Sequence, residues 1–331
     1  MRHLCCPTCR GALRLSPSGE GATCAACSVR YPSVGPVLDL RVPGASWIDY
    51  GADRDRAEHL LALGSDVPAS TLLHEVFSRR AGWSTAQIEQ RTAQFLGATR
   101  RWRGELDGWL NPCRQAGGAV LDLGCGGGQF LAALAPSGRE CVGLDVSVEW
   151  LVVAHRVLSE AGTACQLIAA LAEALPFGDG AFAAVVSLDV LEHVGDRAGY
   201  LREIDRILQP LGVLFLTTPN RFSAAAEPHV GIWGVGWVPR RWQKTYVARR
   251  TSVPYEFVRL TSYMEIKRLF RRHTRVGVQV TVPPIPMEDL ARMSRRRVLL
   301  ARVYNALVGF PPAALGFRAV GPYFRVMGQK A

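Results

Sequence analysis

The chain has 331 residues, of which 48% are hydrophobic, and its formal net charge is +11. This length is enough for about two domains, and this apolar content is that of a globular protein with a real core, which excludes a disordered chain. The positive charge is concentrated in residues 221–331, which hold 20 Lys and Arg against 5 Asp and Glu (a net +15), whereas the first 220 residues sum to −4. We therefore expect an anionic partner for the C-terminal third, such as RNA, an acidic membrane surface or a phosphorylated substrate. A genome that favours Arg over Lys is the alternative explanation, although it does not account for the size of the excess.

The N-terminal stretch MRHLCCPTCRGALRL contains neither an uninterrupted apolar segment nor a small-residue cleavage site. We therefore expect an unprocessed, cytoplasmic protein. Reduced thiols are the default in that compartment, so the nine cysteines favour a metal site or plain buried thiols over disulfides.

Two Cys-x2-Cys pairs near the N-terminus are typical of zinc ligands. Cys6 and Cys9 are followed, after fourteen residues that read as a hairpin, by Cys24 and Cys27. This spacing suits a tetrahedral four-thiolate site in which each tight turn supplies two ligands. A module of roughly forty residues has no sufficient core of its own, and a structural Zn²⁺ would supply the missing stability. Cys5 is expected to be a bystander.

The segments CPTCRGAL, CAAC and RYPSVGPVLDL resemble the zinc-ribbon domain that serves as a small activator subunit of tRNA and protein methyltransferases. The same kind of ribbon is fused to the front of some bacterial methyltransferases. The resemblance covers about residues 5–40, and we predict a zinc ribbon over residues 1–42.

Residues 43–117 are predicted to form a helical linker or cap. The stretches DRAEHLLALG, ASTLLHEVFSRR and TAQIEQRTAQFLGATRRWRGELDGWL carry apolar residues at helical spacing and are separated by Gly and Pro. They predict three helices, and we expect no chemistry from them.

A glycine-rich turn follows the first predicted strand of the remaining chain. The apolar run 119–123 predicts a buried parallel strand, and Gly124, Gly126 and Gly128 lead from it into a helix. Such a turn lets a ligand approach the backbone closely and places N–H groups at the start of the helix. The third position of a nicotinamide-binding fingerprint is Gln129 instead of Gly, so the match to that fingerprint fails.

The next predicted strand, ECVGLDVS, ends on Asp145, where a carboxylate can accept both hydroxyls of a ribose. Further strands are predicted in CQLIAA, AFAAVVSLDVLEHV and GVLFLTTPN, with helices in VEWLVVAHRVLSEAG and DRAGYLREIDRILQP. This alternation predicts an α/β fold with a parallel sheet and right-handed crossovers.

The blocks VLDLGCGGGQF, GLDVS, AEALPFGDGAFAAVVSLDVLEHV and LREIDRILQPLGVLFLTTPN together resemble class I S-adenosylmethionine (SAM) methyltransferases, over roughly residues 118–220. The resemblance implies a Rossmann-like, mostly parallel sheet over residues 118–331, with an antiparallel last strand formed by PYFRVMGQKA beside TRVGVQVTVP. It also implies that SAM lies in the turn after the first strand, that Asp145 holds the ribose, and that Leu171 and Ala172 flank the adenine. The family often has Asp at position 171, and Leu there leaves only the backbone contact of Ala172. The predicted cofactor-binding residues are Asp122, Gly124, Cys125, Gly126, Gly128, Asp145, Val146, Leu171, Ala172 and Leu188.

Methyl transfer from a sulfonium is an in-line displacement in which the protein mainly positions and desolvates the acceptor, and a nearby base helps when the acceptor is a hydroxyl. The long aromatic and basic segment 221–258 has no clear helix or strand period, and we predict that it is a substrate lid. His229 is the base candidate, with Glu227 beside it and Tyr255 as a weaker choice, although a lone loop histidine is more often structural. The aromatic residues expected either to wall the acceptor or to pack in the core are Trp233, Trp237 and Trp242.

The segment LDVLEHV places Asp189, Glu192 and His193 at the end of the fourth strand. These side chains suit a divalent metal, and the related ubiquinone-type O-methyltransferases carry similar acidic and histidine groupings. The pattern favours the alternative, in which Glu192 and His193 begin a helix and line the cofactor pocket. His193 is kept as a further catalytic candidate.

The segment 284–320 is predicted to be a second insertion. Three consecutive residues, Arg295 to Arg297, precede an apolar stretch that Arg302 and the Pro311-Pro312 pair interrupt, so a membrane-spanning helix is not expected. A basic segment followed by an apolar one suits an anionic membrane surface, which predicts peripheral membrane association. Completion of the substrate pocket is the preferred alternative.

Three functions follow from these observations. The first is O-methylation of a small-molecule, sugar or lipid-linked acceptor in natural-product or cell-envelope biosynthesis. The second is methylation of an rRNA or tRNA base, because an N-terminal ribbon also resembles large-subunit rRNA guanine methyltransferases and the basic C-terminal third suits phosphates. The third is a non-catalytic SAM-binding partner protein. Because a four-cysteine site is closed, we expect Cys9→Ser to impair folding or docking and to leave SAM binding intact.

Overall fold

The computed structural model describes residues 4–43, 48–80, 83–108, 110–115, 117–285 and 295–331. The chain divides into two compact units. The first unit comprises residues 1–188, 196–214 and 329–331, and the second comprises residues 189–195 and 215–328.

The first unit contains most of the strands and seven helices of the described chain. In chain order its elements are β1 (Leu13–Leu15), β2 (Gly21–Cys24), β3 (Arg30–Val34), β4 (Val37–Asp39), α1 (Tyr50–Ala62), α2 (Ala69–Ser78), α3 (Thr85–Asp107), α4 (Asn111–Gln115), β5 (Val120–Leu123), α5 (Gln129–Leu134), β6 (Cys141–Asp145), α6 (Val148–Glu160), β7 (Gln166–Ala169), β8 (Phe182–Leu188), α7 (Arg197–Ile207) and the first part of β9 (Leu208–Pro219).

The sheet of the first unit has the order β1-β2-β3-β4-β7-β6-β5-β8-β9. Strands β4, β7, β6, β5 and β8 pair in parallel, as strands joined by helical crossovers do. The predicted fold class, a Rossmann-like sheet whose central strands are parallel, is confirmed.

The central strands are buried on both faces, which explains why they read as continuous apolar runs. All four residues of β5 and the first six of β8 are buried. Behind them, the fully buried Tyr200 donates its hydroxyl hydrogen bond to Ser187 Oγ over 2.7 Å, and Ser187 donates to the carbonyl of Leu123 over 3.0 Å. This chain of bonds ties α7 to the ends of β5 and β8, where the glycine turn begins.

The ribbon strands extend the same sheet. Strands β1 to β4 pair antiparallel with one another, and β4 then pairs in parallel with β7, with Leu38 opposite Ile168 and Asp39 opposite Ala169. The sequence did not predict that the N-terminal segment would continue the main sheet, because strand order is set by long-range pairing and not by local pattern.

The region predicted as three helices contains α1, α2 and α3 and a short fourth helix, α4. Helix α3 begins with a capping box in which Ser84 and Gln87 each bond the backbone N–H of the other. Helix α1 begins at Asp49, whose side chain accepts two backbone N–H bonds.

The second unit contains the remainder of β9, α8 (Arg240–Ala248), α9 (Tyr263–His273), β10 (Val276–Thr281), α10 (Arg295–Val308), α11 (Pro311–Val320) and most of β11 (Tyr323–Lys330). Its strand order is β9-β11-β10. Gly328 lies against Gly277, and Gly321 lies against Val282, so β10 and β11 run in opposite directions, as predicted.

Helix α8 lies within the segment 221–258 that showed no helical period. Part of the second predicted insertion, residues 286–294, lies outside the described residues. Within the described ranges, none of the helices combines the length and apolarity needed to cross a bilayer.

Candidate cofactor and catalytic sites

A cavity of about 320 Å³ opens beside the glycine turn that joins β5 to α5. It lies entirely within the first unit. Its lining residues are Phe95, Trp102, Asp122, Gly124, Cys125, Gly126, Gly127, Gln129, Phe130, Asp145, Trp150 and Leu188. Six of the predicted cofactor-binding residues therefore meet in one place.

The turn itself requires glycine for two different reasons. Gly126 has a φ of +48°, in the left-handed region, and a side chain added there would point into open space. At Gly127 an added Cβ would come within 2.4 Å of the Phe95 ring. The turn therefore leaves space for a ligand beside Gly126 and lets the Phe95 ring pack directly against Gly127.

Asp145 is held at the edge of the cavity by the backbone. Its Oδ2 accepts the N–H of Gly126 and its Oδ1 accepts the N–H of Ser147, both over 2.9 Å. Burial raises the pKa of this carboxyl group, although the backbone bonds act against that shift. Each carboxylate oxygen has a second lone pair, so the group is suited to accept the two hydroxyls of a ribose.

Two buried polar atoms in the cavity lining have no hydrogen-bond partner among the described residues. They are Asp122 Oδ2, an acceptor, and Gln129 Nε2, a donor. Burial, and then the neighbouring Asp145, raise the pKa of Asp122 well above its usual range. Orphaned buried groups are rare because they are costly. The amino and carboxylate groups of the methionine part of SAM would satisfy this pair, so the residues present fit the cofactor.

Aromatic rings form the apolar part of the cavity. Phe95 stacks on Trp150 with ring centroids 5.3 Å apart, and Trp102 meets Phe130 edge to face at 6.2 Å. Phe95 and Trp102 belong to α3, so a cap helix that was expected to carry no chemistry still supplies part of the cavity wall. The only sequence signal was their spacing of seven residues, which places both on one face of a helix.

Four predicted cofactor-binding residues do not line this cavity: Gly128, Val146, Leu171 and Ala172. The carbonyl of Val146 accepts a bond from Arg41 Nη1 over 3.2 Å, and the carbonyl of Leu171 accepts the N–H of Ala174 over 3.1 Å. The adenine-flanking role of Leu171 and Ala172 stays a prediction. Gln129, which the sequence offered only as an argument against a nicotinamide site, lines the cavity instead.

The four predicted zinc ligands converge in the ribbon. The Sγ atoms of Cys6, Cys9, Cys24 and Cys27 all lie within 4.8 Å of one another. The Cys6–Cys27 pair is 3.7 Å apart and the Cys9–Cys24 pair 3.4 Å. Four thiolates around Zn²⁺ at about 2.3 Å have S···S distances of about 3.8 Å, so the geometry fits. Cys5 is not part of this group.

A second group of metal-type ligands lies in the second unit. Single ligand atoms of Glu192, His193 and His229 lie within 4.8 Å of one another. The grouping of Asp189 with Glu192 and His193 was the less favoured prediction, and in the structure His229 takes the third place. The favoured prediction was wrong: Glu192 and His193 lie in a turn before α7, which begins at Arg197, and neither lines the cavity. Asp189 Oδ1 instead accepts the hydroxyl bond of Thr217 over 2.8 Å.

Glu227 holds His229 through both carboxylate oxygens. Its Oε1 lies 2.5 Å from His229 Nδ1, and its Oε2 accepts the backbone N–H groups of His229 and Val230, each over 2.9 Å. Burial acts to lower the pKa of His229, but the bond and charge of Glu227 outweigh it and raise the pKa. His229 Nε2 lies 3.2 Å from His193 Nε2, and burial together with His229 lowers the pKa of His193. The predicted candidates Glu227, His229 and His193 therefore form one hydrogen-bonded chain.

Glu192 is buried beside this chain. Its Oε2 accepts the hydroxyl bond of Thr218 over 2.9 Å, and its Oε1 has no partner among the described residues. Burial, and then the charge of Asp189, raise the pKa of Glu192 to about 8. Tyr255 is a poor base, because burial raises the pKa of its phenol above the usual range.

The three tryptophans of the predicted lid are exposed, so they do not pack in the core. Trp233, Trp237 and Trp242 expose 63%, 51% and 54% of their surface. The indole N–H groups of Trp233 and Trp237 donate to the carbonyls of Ala224 and Ser223, which are neighbours in the chain. The N–H groups of Trp233 and Trp237 are therefore satisfied by the backbone, while more than half of each ring's surface stays exposed.

Comparison with known proteins agrees with the site in the first unit. Residues 121–216 match the family model described as "Methyltransferase domain". The chain is 35% identical over 130 residues to the ubiquinone biosynthesis O-methyltransferase of Azorhizobium caulinodans, covering 38% of this chain and 51% of the relative. It is 41% identical over 110 residues to the protein of that name from Pseudomonas paraeruginosa, covering 32% and 46%, and 32% identical over 170 residues to that from Cereibacter sphaeroides, covering 51% and 64%.

The chain thus spans about half the length of the curated relatives that it matches. The fold, the glycine turn with Asp145 and the matched domain agree, and the chain carries a class I SAM-dependent methyltransferase domain. The predicted family resemblance is confirmed for this domain.

Proposed function

We propose that the protein is an O-methyltransferase that uses SAM to methylate a hydroxyl group of a small-molecule or lipid-linked acceptor. The observation that carries the proposal is the Glu227–His229–His193 chain, because a histidine oriented by a buried carboxylate is suited to remove a proton from a hydroxyl. The relatives named as ubiquinone biosynthesis O-methyltransferases support the same chemistry and favour an acceptor with a ring and an apolar tail.

The residues of the first unit would bind and orient the cofactor. SAM, when bound, supplies a methyl group that its sulfonium already activates. Asp145 is placed to accept the ribose hydroxyls, and Asp122 and Gln129 offer the orphaned acceptor and donor for the charged methionine end. Phe95 and Trp150, which stack on each other, line the cavity and would shield a bound cofactor from water, which would strengthen these polar contacts.

His229 would act as the general base. Its Nδ1–H donates to Glu227 Oε1, which leaves Nε2 as the acceptor and fixes the ring orientation. The raised pKa of His229 increases its basicity while Glu227 stabilises the imidazolium that forms. Burial and His229 lower the pKa of His193, and in this chain its neutral ring donates Nε2–H to His229 Nε2. The acceptor hydroxyl would therefore displace His193 from His229 Nε2 before its proton is removed.

A divalent metal at Glu192, His193 and His229 is the second candidate for activating the acceptor. The convergence of three ligand atoms and the orphaned Glu192 Oε1 favour it. Carboxylate and imidazole ligands suit Mn²⁺, Fe²⁺ or Zn²⁺ better than Ca²⁺. Metal analysis of the purified protein, before and after dialysis against a chelator, separates the two candidates. Activity that survives complete metal removal from this cluster favours the histidine base.

The ribbon is proposed to hold one structural Zn²⁺ through Cys6, Cys9, Cys24 and Cys27. The sulfur distances support it, and so do two backbone N–H groups, of Ala26 and Cys27, that point at Cys24 Sγ over 3.4 Å. Such bonds stabilise a thiolate ligand. With four protein ligands the site would be closed, so we assign it no part in methyl transfer.

An anionic membrane surface is the proposed partner of the second unit, which would bring the protein, otherwise cytoplasmic, to a lipid-linked acceptor. Tyr246 Oη donates to the carbonyl of Trp233. Tyr246 and Trp242 both belong to α8, so this bond links Trp233 to the helix that carries Trp242. Arg241 lies over the ring of Trp242 and Arg250 over that of Tyr246, and neither arginine has a carboxylate partner within the described residues. Exposed tryptophans among unpaired cations suit the headgroup region of an acidic bilayer.

The experiment is an assay of S-adenosylhomocysteine release by the purified protein, supplied either with a total lipid extract or with total RNA. Lipid-dependent release supports the proposal. RNA-dependent release with the steep salt dependence of phosphate contacts supports the base methyltransferase instead. Tight SAM binding without release from either pool favours a non-catalytic SAM-binding protein.

A further inference from the structure

The last strand of the ribbon ends beside the cofactor loop. Strand β4 lies between β3 of the ribbon and β7 of the main sheet, and the backbone N–H of Leu40 then donates to the carbonyl of Ala169 over 2.8 Å. The next residue, Arg41, has a side chain that is only 1% exposed. The guanidinium group of Arg41, directly after the last ribbon strand, is therefore buried in the interior of the first unit.

Arg41 joins two buried carboxylates. Its Nε and Nη2 donate to the two oxygens of Asp39, over 2.8 and 2.7 Å, and its Nη1 donates to Asp53 Oδ2 over 2.7 Å. The Asp53 side chain is fully buried and that of Asp39 is 5% exposed. The guanidinium also lies over the ring of Tyr50, 4.4 Å from its centroid. Asp53 and Tyr50 belong to α1, so the group links the ribbon strand to the cap.

The same group holds the three residues that follow Asp145. Arg41 Nη1 donates to the carbonyl of Val146 over 3.2 Å. Asp53 Oδ1 accepts the hydroxyl bond of Ser147 over 2.6 Å, and Asp53 Oδ2 accepts the N–H of Val148 over 2.8 Å. Ser147 in turn donates its own N–H to Asp145 Oδ1. The path from β4 to the ribose-type carboxylate is thus continuous and hydrogen-bonded throughout.

A buried ion cluster is weak evidence for stability alone, because well-packed apolar residues of similar volume often serve stability as well or better. Both Asp53 oxygens are directed at one short loop, and neither Asp53 nor Arg41 lines the cavity. This pattern is that of a support which fixes the orientation of another functional side chain.

We propose that Arg41 and Asp53 are positioning residues for cofactor binding, through which the ribbon sets the orientation of Asp145. The proposal rests on the proposed SAM site, and it assigns a role to the ribbon beyond its own fold. It also replaces the expectation that SAM binding is independent of the ribbon.

The test compares Asp53→Asn with a matched control, Arg54→Gln. Arg54 contacts the same cluster through Asp39, over 3.1 Å, but its side chain is 40% exposed, and among the described residues it forms no hydrogen bond with Val146, Ser147 or Val148. Asp53→Asn keeps the volume but removes the charge and one acceptor from the loop. We expect the Kd for SAM, measured by calorimetry well below the melting temperature, to rise about tenfold in Asp53→Asn and to stay within about twofold of wild type in Arg54→Gln.

If Asp53 had a purely structural role, Asp53→Asn would lower the melting temperature without a selective rise in the Kd for SAM. The KM for SAM should therefore rise in Asp53→Asn while kcat at saturating SAM stays near that of wild type. Arg41→Lys keeps the charge but not the forked geometry, so an intermediate Kd is expected, and this variant serves if Asp53→Asn does not fold.

Equal SAM affinity in wild type, Asp53→Asn and Arg41→Lys would overturn the positioning role while leaving the proposed function intact. A wild-type protein that does not bind SAM would instead overturn the proposed function, and the positioning role with it.

Discussion

The substitution Glu227→Gln tests the proposed base without changing the shape of the site. The wild-type carboxylate accepts from His229 Nδ1 through one oxygen and from two backbone N–H groups through the other. An amide has only one acceptor oxygen. If that oxygen keeps the two backbone bonds, the NH₂ group faces His229 Nδ1. It then favours the tautomer of His229 that carries its proton on Nε2, and this nitrogen cannot take a proton from the substrate hydroxyl.

The size and direction of the effect follow from the same contacts. General-base assistance contributes about 10²- to 10⁴-fold, so kcat should fall by an amount in that range. Glu227 raises the pKa of His229, and the base must be unprotonated to act, so wild-type activity should rise with pH through that raised pKa. Glu227→Gln should therefore move the acidic limb of the kcat/KM profile to lower pH and reduce its plateau.

The assay is steady-state methyl transfer at several pH values, together with calorimetric SAM binding. Glu256→Gln is the matched control. It makes the same carboxylate-to-amide change, but at an exposed residue that pairs with Lys244. SAM affinity should be unchanged in both variants, since the cavity residues all belong to the first unit. A Glu227→Gln enzyme with wild-type kcat and an unshifted acidic limb would refute the base assignment.

Four further results are expected. Phe95→Ala removes a stacked ring from the cavity and should raise the Kd for SAM, measured by calorimetry, by about tenfold. The melting temperature should stay high enough for the variant to remain folded during the assay. Cys9→Ser should lose the bound zinc, measured by elemental analysis, and lower the melting temperature; full zinc retention would contradict the four-thiolate site. Glu192 has a folded-state pKa raised to about 8 from 4.5, so its ionisation should lower the free energy of unfolding as pH rises through this window, and Glu192→Gln should flatten that dependence in urea titrations of the metal-free protein. Trp242→Ser should weaken co-sedimentation with phosphatidylglycerol vesicles, and equal binding by the variant would remove this face from the membrane proposal.

The cofactor site was predictable where it depends on local pattern. The strand, the glycine turn and Asp145 lie within 27 positions of chain, from 119 to 145, and each has a backbone reason for its residue type. Phe95 and Trp102 were not predictable, because they approach the turn from a cap helix that carries no motif. Their role depends on the tertiary packing of α3 against α5, and the hydrophobic periodicity of α3 alone does not show which helix it packs against.

The second site was predictable in its residues but not in its grouping. His193 and His229 lie 36 positions apart, and their 3.2 Å contact depends on how the loop after β9 folds. The sequence placed Asp189 with Glu192 and His193 because the three are neighbours in the chain. It could not show that Asp189 bonds Thr217 and that His229 fills its place.

The ribbon shows the same limit. The spacing of its cysteines was enough to predict the four converging sulfurs, because that geometry is local to two tight turns. The pairing of β4 with β7, and the burial of Arg41 that follows from it, join segments more than a hundred residues apart. Long-range strand order is not encoded in either segment alone.

The most direct test of O-methylation is mass spectrometry of a lipid extract incubated with the protein and deuteromethyl-SAM. The proposed function predicts one class of hydroxylated product that carries a single deuteromethyl group on oxygen, and its loss in a His229→Gln variant that still binds SAM. Label found on nitrogen or carbon, or in ribosomal RNA, would contradict it.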